Sequence, residues 1–220
     1  RVQIEHTHLS HSMRDQKTRN GELERWAHCV MTNQPGEATQ IAQTLQVNSA
    51  IWITRELSAA KQWANNRRQG EDRCGLIGSG QGFRLRADGI FVGEKPEIVP
   101  WMLEPSGDVR SSNMLEQTQN QYQIQGLEID YAIVCWDADL RREASGWSCY
   151  KLNGAGWTAA CKEHETRCNS YRVLLTRSRK GMVLFVPTGD LTGEDRTREP
   201  AFYNGIADYL VQCGARVLQV

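Results

Sequence analysis

The chain has 220 residues, of which 40% are hydrophobic, and its 26 basic and 26 acidic side chains give a formal net charge of zero. A chain of this length is able to bury a substantial core in one large domain or two small ones. The balanced charge excludes a global electrostatic footprint for nucleic acid but is compatible with a local basic stripe.

The seven cysteines are an odd number without regular spacing, which favours reduced thiols and a cytoplasmic protein over a disulfide-linked secreted one. No apolar run approaches the roughly 20 residues that a membrane helix needs, so we expect no membrane partner. The first residues contain neither Met nor a signal-peptide pattern. We therefore interpret the sequence as the interior of a longer chain.

The first half of the chain predicts alternating strands and helices. The segments, in chain order, are a strand at residues 2–5, a polar segment ending in arginine at 10–14, helices at 22–31 and 35–46, a strand at 50–53, a helix from Thr54 to Gly70, and a strand at 74–77. Thr54 is suited to cap its helix. A strand, a helix and a strand with short links form a βαβ unit, which requires parallel pairing.

The second half adds one strong strand and further helix–strand pairs. The segments, in chain order, are an irregular proline-containing connection at 93–108, a strand at 129–136, a long loop or irregular insertion at 139–163, a helix at 169–179 ended by Gly181, a strand at 182–186, a helix at 203–213 and a last strand at 216–220. Residues 129–136 are apolar enough to lie at the centre of a sheet. The alternation predicts an α/β fold with one doubly wound, mostly parallel sheet.

Two polar segments adjoin the strongest of these elements. Residues 125–128 (Gln-Gly-Leu-Glu) precede the strand at 129–136, and residues 176–180 (Thr-Arg-Ser-Arg-Lys) end the helix at 169–179. Arginine stays charged and binds phosphate through paired N–H groups. Ligands of open α/β sheets collect outside the carboxyl ends of strands, so we expect these segments and Arg14 to meet at that edge. Because the chain has no GxxxxGK[ST] loop, it predicts half of a nucleotide-driven machine.

The order of these segments resembles that of superfamily 1 helicases. Residues 125–131 (Gln-Gly-Leu-Glu-Ile-Asp-Tyr) resemble motif V, residues 173–179 (Val-Leu-Leu-Thr-Arg-Ser-Arg) resemble motif VI, and residues 9–14 (Leu-Ser-His-Ser-Met-Arg) resemble motif IV. The whole pattern, from about residue 9 to residue 218, is similar to the Schlafen group 3-like DNA/RNA helicase family. Residues 54–57, 75–79 and 84–90 (Thr-Arg-Glu-Leu, Gly-Leu-Ile-Gly-Ser and Arg-Leu-Arg-Ala-Asp-Gly-Ile) contribute to this similarity.

The resemblance implies that residues 1–220 are a single RecA-like second motor lobe with motifs IV to VI. In such helicases ATP and Mg²⁺ lie between two lobes, and cleft closure moves the protein along single-stranded DNA or RNA. The N-terminal RecA-like lobe, which brings the Walker lysine and the magnesium-binding acid, is absent from this chain.

The family's site residues are carried over to matching positions. Arg177 becomes the arginine finger and Arg14 a second γ-phosphate contact. Gln125, Gly126 and Glu128 become the motif V link between nucleotide and nucleic acid. Many superfamily 1 helicases have Thr six residues before the motif V glycine. Here that residue is Asn, so we assign no strand-binding hydroxyl.

Other interpretations stay open at this stage. The lobe is alternatively a non-catalytic nucleic-acid-binding or scaffold module in a larger assembly. A third hypothesis is a zinc-stabilised interaction domain, with Cys149, Cys161, His164 and Cys168 as ligands, although scattered reduced cysteines are the simpler interpretation and we predict no metal site. The glycine-rich residues 75–82 lack the Lys-Ser/Thr of a phosphate loop, so we predict a βα turn there.

Overall fold

The computed structural model describes residues 19–45, 50–94 and 96–219. Its α-helices are Arg19–Met31 (α1), Pro35–Leu45 (α2), Leu57–Arg67 (α3), Ile98–Leu103 (α4), His164–Leu175 (α5) and Pro200–Gln212 (α6). Its strands are Ile51–Thr54 (β1), Cys74–Gly78 (β2), Thr118–Asn120 (β3), Ile129–Cys135 (β4), Leu140–Glu143 (β5), Gly146–Asn153 (β6), Gly156–Ala159 (β7), Ser178–Phe185 (β8) and Arg216–Val217 (β9). The predicted segments 2–5 and 10–14, and with them Arg14, lie outside the described residues.

Six of the strands form one sheet in the order β3-β2-β4-β8-β1-β9, and each neighbouring pair in it is parallel. Alternate side chains of the central strands enter two hydrophobic clusters. One cluster contains the buried side of α3, and the other contains α1, α2, α5 and α6. Helices therefore cover both faces of the sheet, which confirms the predicted α/β fold with a parallel, RecA-like sheet.

The βαβ unit made of β1, α3 and β2 is parallel as predicted, but its two strands are not neighbours. β4 and β8 lie between them in the sheet. β4 and β8 thus take the central places, where both faces of the sheet are covered by helices, and β1 lies nearer the edge.

The prediction of an irregular insertion at residues 139–163 is wrong. These residues contain an antiparallel sheet of β5, β6 and β7, joined by two-residue turns at 144–145 and 154–155. Gly154 allows the second turn because its φ of 58° is one that residues with a Cβ rarely adopt. Only one face of this small sheet is buried, so its sequence shows too few apolar positions to display a period.

The predicted helix at 169–179 is also wrong at its end. α5 stops at Leu175, and residues 178–180 already belong to β8, because Ser178 pairs with Ile129 on the neighbouring strand. Residues 176–180 lack the apolar alternation that is typical of a strand, so the local sequence does not favour a strand there. Backbone pairing with β4 overrides that local preference.

The connection at 93–108 contains a short helix, α4, which we did not predict. Pro100 is tolerated as its third residue, since the first-turn N–H groups of a helix have no intrahelical partner. The helix places Trp101 in the core, where its Nε1 donates to the carbonyl of Gln117 at 3.1 Å. Trp101 requires glycine at residue 75 on β2, because a Cβ there would lie 2.5 Å from the indole ring.

Candidate functional site

The predicted site residues lie at the amino-terminal edge of the sheet. Residues 125–128 immediately precede β4, and Arg177 immediately precedes β8. Because all strands of this sheet run in one direction, both positions are at the edge opposite to the carboxyl ends. The expectation that these residues gather outside the carboxyl ends of strands is therefore wrong, although the two segments do meet.

Two hydrogen bonds join the segments. The backbone N–H of Ile129 donates to the carbonyl of Arg177 at 3.0 Å, and the Nη1 of Arg177 donates to the carbonyl of Leu127 at 3.2 Å. The first bond is an extension of the β4–β8 pairing, and the second is made by the side chain. The structure thus brings motif V and motif VI, about 50 residues apart in sequence, into direct contact.

The side chain of Arg177 is buried, with only 8% of the residue exposed. Its Nε donates to the carbonyl of Val173 at 2.9 Å and its Nη2 donates to the hydroxyl of Thr176 at 3.0 Å, in addition to the contact with Leu127. The guanidinium therefore caps the carboxyl end of α5, where a cation is also favoured by the helix dipole. Arg177 therefore has both packing and hydrogen bonds within the lobe.

The residues of motif V differ in exposure. Gln125 and Gly126 are exposed, whereas Leu127 and Glu128 are half-buried. Gly126 has a φ of 84° and an added Cβ would meet open space, so the glycine is required by backbone conformation and not by crowding. The segment therefore presents the Gln125 side chain and a stretch of bare backbone to solvent.

Further charged groups surround this edge. The buried carboxylate of Asp130 accepts from the backbone N–H of Arg73 at 2.9 Å and pairs with Arg179 at 3.1 Å. Lys180 bonds to Asp72, and its ammonium group lowers the pKa of that carboxyl. About half of each side chain of Arg179 and Lys180 stays exposed, so the edge presents cations that are only partly neutralised.

The carboxyl edge has the topology of a ligand site but is filled by the chain itself. β2 leads outward to β3 and β4 leads towards β8, so the chain diverges between these two strands, where open α/β sheets usually bind ligands. The glycine-rich segment there is a turn between β2 and a 3-10 helix at Phe83–Asp88. The backbone N–H groups of residues 80–84 are all bonded within the chain, to Gln121, Ser79, Gln81 and Asp137, so this turn offers a phosphate no free donors.

Two buried carboxylates occupy this edge, and sequence reasoning missed both. Asp139 accepts from the hydroxyls of Ser79 and Tyr171, each at 2.6 Å, and pairs with the buried guanidinium of Arg167. Asp137 accepts from the backbone N–H of Arg84 at 2.8 Å and from the hydroxyl of Tyr203 at 3.0 Å. The available signal was their position directly after the most apolar strand, where a charged residue needs a partner.

Asp137 also makes the stability of the fold dependent on pH. Burial, followed by the neighbouring charge of Asp139, raises its pKa to about 7. A carboxyl with a raised pKa favours folding fully below its unfolded pKa of roughly 3.9, and the contribution is lost as the pH rises to 7. The expected loss between pH 5 and pH 8.5 is about 2–3 kcal/mol.

The variant Asp137→Asn tests this titration, because Asn carries no titrating proton at this position. We expect the free energy of unfolding of the wild-type protein, relative to the variant, to fall by about 2–3 kcal/mol between pH 5 and pH 8.5. Urea unfolding at both pH values measures it. A constant offset from altered hydrogen bonds cancels in this comparison, and parallel pH profiles would show that Asp137 is ionised throughout.

Aromatic side chains attach the antiparallel sheet to the core. Trp136 stacks on Tyr171 at 4.2 Å and on Trp147 of β6 at 5.2 Å between ring centroids. On β5, the guanidinium of Arg141 lies 3.4 Å from the centre of the Phe202 ring on α6. These tryptophans are core residues, and the small sheet is packed against α5 and α6.

The structure gives no support to a zinc site. Cys168 Sγ is 3.9 Å from His164 Nε2, but that nitrogen is 3.0 Å from the carbonyl of Trp147, and Cys161 is exposed. Within residues 19–45, 50–94 and 96–219, no group of three or more His, Cys, Asp and Glu side chains is placed to hold a metal ion. No helix in that same part of the chain is long and apolar enough to cross a membrane.

The parallel sheet with helices on both faces places the chain in the RecA-like α/β class. A model of the family described as Schlafen group 3, DNA/RNA helicase domain, matches residues 1–188. The chain therefore belongs to the Schlafen group 3 DNA/RNA helicase domain family. A search of curated proteins finds none that matches the chain.

Proposed function

We propose that the chain is the second motor lobe of an ATP-dependent DNA or RNA helicase or translocase in the cytoplasm. The observation that carries the proposal is the contact between motif V and motif VI at one sheet edge, made by Arg177 with Leu127 and Ile129. An edge that carries arginine beside an exposed loop suits a lobe that closes on a nucleotide held elsewhere.

The described residues suit a lobe that contacts ATP and Mg²⁺ bound by another lobe, and not a lobe that binds them itself. The backbone N–H groups of residues 80–84 are bonded within the chain, and the described residues contain no group of three or more His, Cys, Asp and Glu side chains placed to hold a metal. A RecA-like lobe with a Walker lysine, N-terminal in the same protein or on a partner, would hold both. The nucleotide supplies the phosphoryl group to be transferred.

In this proposal Arg177 stabilises negative charge on the γ-phosphate, and Arg14 adds a second contact. An arginine finger supplies roughly 10³–10⁵-fold in rate. Gln125, Gly126 and Glu128 connect the nucleotide to single-stranded DNA or RNA. The exposed cations Arg179 and Lys180 at the same edge favour polyanionic ligands.

Phosphate-release assays on two forms of the protein test the proposal. We expect the purified 220-residue chain to hydrolyse no ATP with single-stranded DNA or RNA present, and the full-length gene product to show nucleic-acid-stimulated turnover. Steady turnover by the 220-residue chain, abolished by Arg177→Ala, would mean that the chain carries its own catalytic site. A full-length product without any stimulated turnover would also contradict the proposal.

A matched pair of glycine variants tests the motif V segment. Gly126 and Gly154 both have a positive φ and open space around an added Cβ, so Gly126→Ala and Gly154→Ala should each lower the free energy of unfolding by about 1–2 kcal/mol. Only Gly126→Ala should lower nucleic-acid-stimulated ATP hydrolysis by the full-length protein, by at least about tenfold. Equal ATPase losses in the two variants would remove motif V from the mechanism.

One observation favours a second candidate, a non-catalytic scaffold or nucleic-acid-binding module. Arg177 is buried and bonded to backbone carbonyls, which is how a purely structural arginine would be held. A full-length protein that binds single-stranded nucleic acid but hydrolyses no ATP would establish this alternative.

A further inference from the structure

The side chain of Arg177 bonds to two parts of the chain, the last turn of α5 and residue 127. Its Nε is tied to α5 through the carbonyl of Val173, at 2.9 Å, and its Nη1 reaches the carbonyl of Leu127 at 3.2 Å. The guanidinium is planar and rigid, so a bond at one nitrogen fixes the direction of the other. The position of Leu127 therefore depends on the end of α5.

The two residues that precede Leu127 have little packing around them. Gln125 and Gly126 are exposed, and nothing would contact a Cβ at residue 126. Hydrogen bonds that hold the segment include the amide of Leu127 to the Ile124 carbonyl at 3.1 Å, the amide of Ile129 to the Arg177 carbonyl at 3.0 Å, and the bond from the Arg177 side chain to the Leu127 carbonyl.

We infer that Arg177 is a positioning residue for the segment 125–128, in addition to the phosphate contact proposed above. The two roles use the same guanidinium. When Nη1 turns to a phosphate oxygen, its bond to the Leu127 carbonyl breaks and the segment is released.

This coupling rests on the proposed function, whereas the positioning role does not. Coupling between two ligands is reciprocal, so a nucleic acid that displaces residues 125–128 frees Arg177, and a nucleotide that binds Arg177 frees the segment. A single side chain thereby links the two ligands of a motor lobe without a separate relay.

Hydrogen exchange in the full-length protein tests the positioning role. We expect Arg177→Ala to accelerate exchange of the Leu127 and Ile129 amides at least tenfold, and Arg177→Lys to do so less, since lysine retains a donor without the fork. The control Arg172→Ala alters an arginine of α5 whose side chain bonds to Asn169 at 2.9 Å, and should change these amides less than twofold.

Global destabilisation is separated from local release within the same data. Amides of α1 and α2, remote from the segment in sequence, should change less than twofold in the Arg177 variants. Unchanged exchange at Leu127 and Ile129, or equal acceleration throughout the chain, would overturn the positioning role. Should Arg177→Ala fail to fold, the ratio of local to remote exchange in Arg177→Lys decides by the same criteria.

Nucleic-acid affinity then tests the coupling. Arg177→Lys should change the Kd of the full-length protein for a single-stranded oligonucleotide, measured by fluorescence anisotropy without nucleotide, at least threefold, whereas Arg172→Lys should not. A fall in kcat with unchanged Kd and unchanged exchange would overturn this inference and leave the proposed function standing. Altered exchange at Leu127 and Ile129 in a full-length protein that hydrolyses no ATP would contradict the proposed function and leave the positioning role standing.

Discussion

Replacing Arg177 with lysine in the full-length protein is expected to lower kcat for nucleic-acid-stimulated ATP hydrolysis by about 10³-fold or more. Lysine keeps the charge but loses the planar fork that holds two phosphate oxygens. An interaction made mainly in the transition state lowers kcat, while KM for ATP should change much less. Steady-state phosphate release over a range of ATP concentrations separates the two constants.

The burial of Arg177 adds an expectation for stability. Its contacts with Val173 and Leu127 are lost or weakened in the lysine variant, so a modest decrease in Tm should accompany the loss of activity. Arg172→Lys on α5 is the matched control and should change neither kcat nor Tm. A kcat within about threefold of wild type, worth roughly 0.65 kcal/mol, would show that Arg177 is not the finger.

The variant Asp139→Ala is expected to lower the free energy of unfolding by about 3–5 kcal/mol. The change leaves the guanidinium of Arg167, whose side chain is 5% exposed, without its buried partner. It also removes the acceptor of the Ser79 and Tyr171 hydroxyls, each 2.6 Å from the carboxylate. Urea-induced unfolding at neutral pH measures the effect.

Two further variants isolate the cause. Asp108→Ala breaks an exposed pair with Arg110 and should lower the free energy of unfolding far less than Asp139→Ala does. Adding Arg167→Met to Asp139→Ala removes a buried charge that would keep only its bond to the exposed Glu163, at 2.9 Å, and should restore a large part of the lost stability. If the double variant is no more stable than Asp139→Ala alone, the buried charge is not the source of the cost.

The sequence was sufficient for the parts of the fold that follow one period. The helix at 22–31 and the strand at 129–136 were predicted from apolar spacing, and the structure has α1 and β4 at these places. The antiparallel sheet was missed because few of its residues are buried. β7 has no buried residue, and in β6 the burial ends after Trp147 and Cys149, so the alternation is too short to recognise. The strand order could not be predicted from local sequence either. The central places of β4 and β8 depend on which strands pair with each other, which is a tertiary property.

The candidate site was predictable as a set of residues but not as a geometry. Motif resemblance identified Gln125, Gly126, Glu128 and Arg177, and the structure brings these segments together. Their edge was predicted wrongly because the helix was extended through Arg179, which concealed that β8 starts directly after Arg177. The bonds of the Arg177 guanidinium to backbone carbonyls depend on tertiary contact, which local sequence does not encode.

Helix α5 has a mechanical consequence. Arg167 in its first turn and Tyr171 past its middle are bound to the buried Asp139, and its last turn carries the carbonyl that holds Arg177. Twelve residues make a rod about 18 Å long, so α5 joins the two edges of the sheet with a stiff element. In the proposed motor, force applied to Arg177 by an opposing lobe would be transmitted along α5 to the buried Arg167–Asp139 ion pair. Weakening that ion pair should lower the coupling between ATP hydrolysis and translocation before it unfolds the protein.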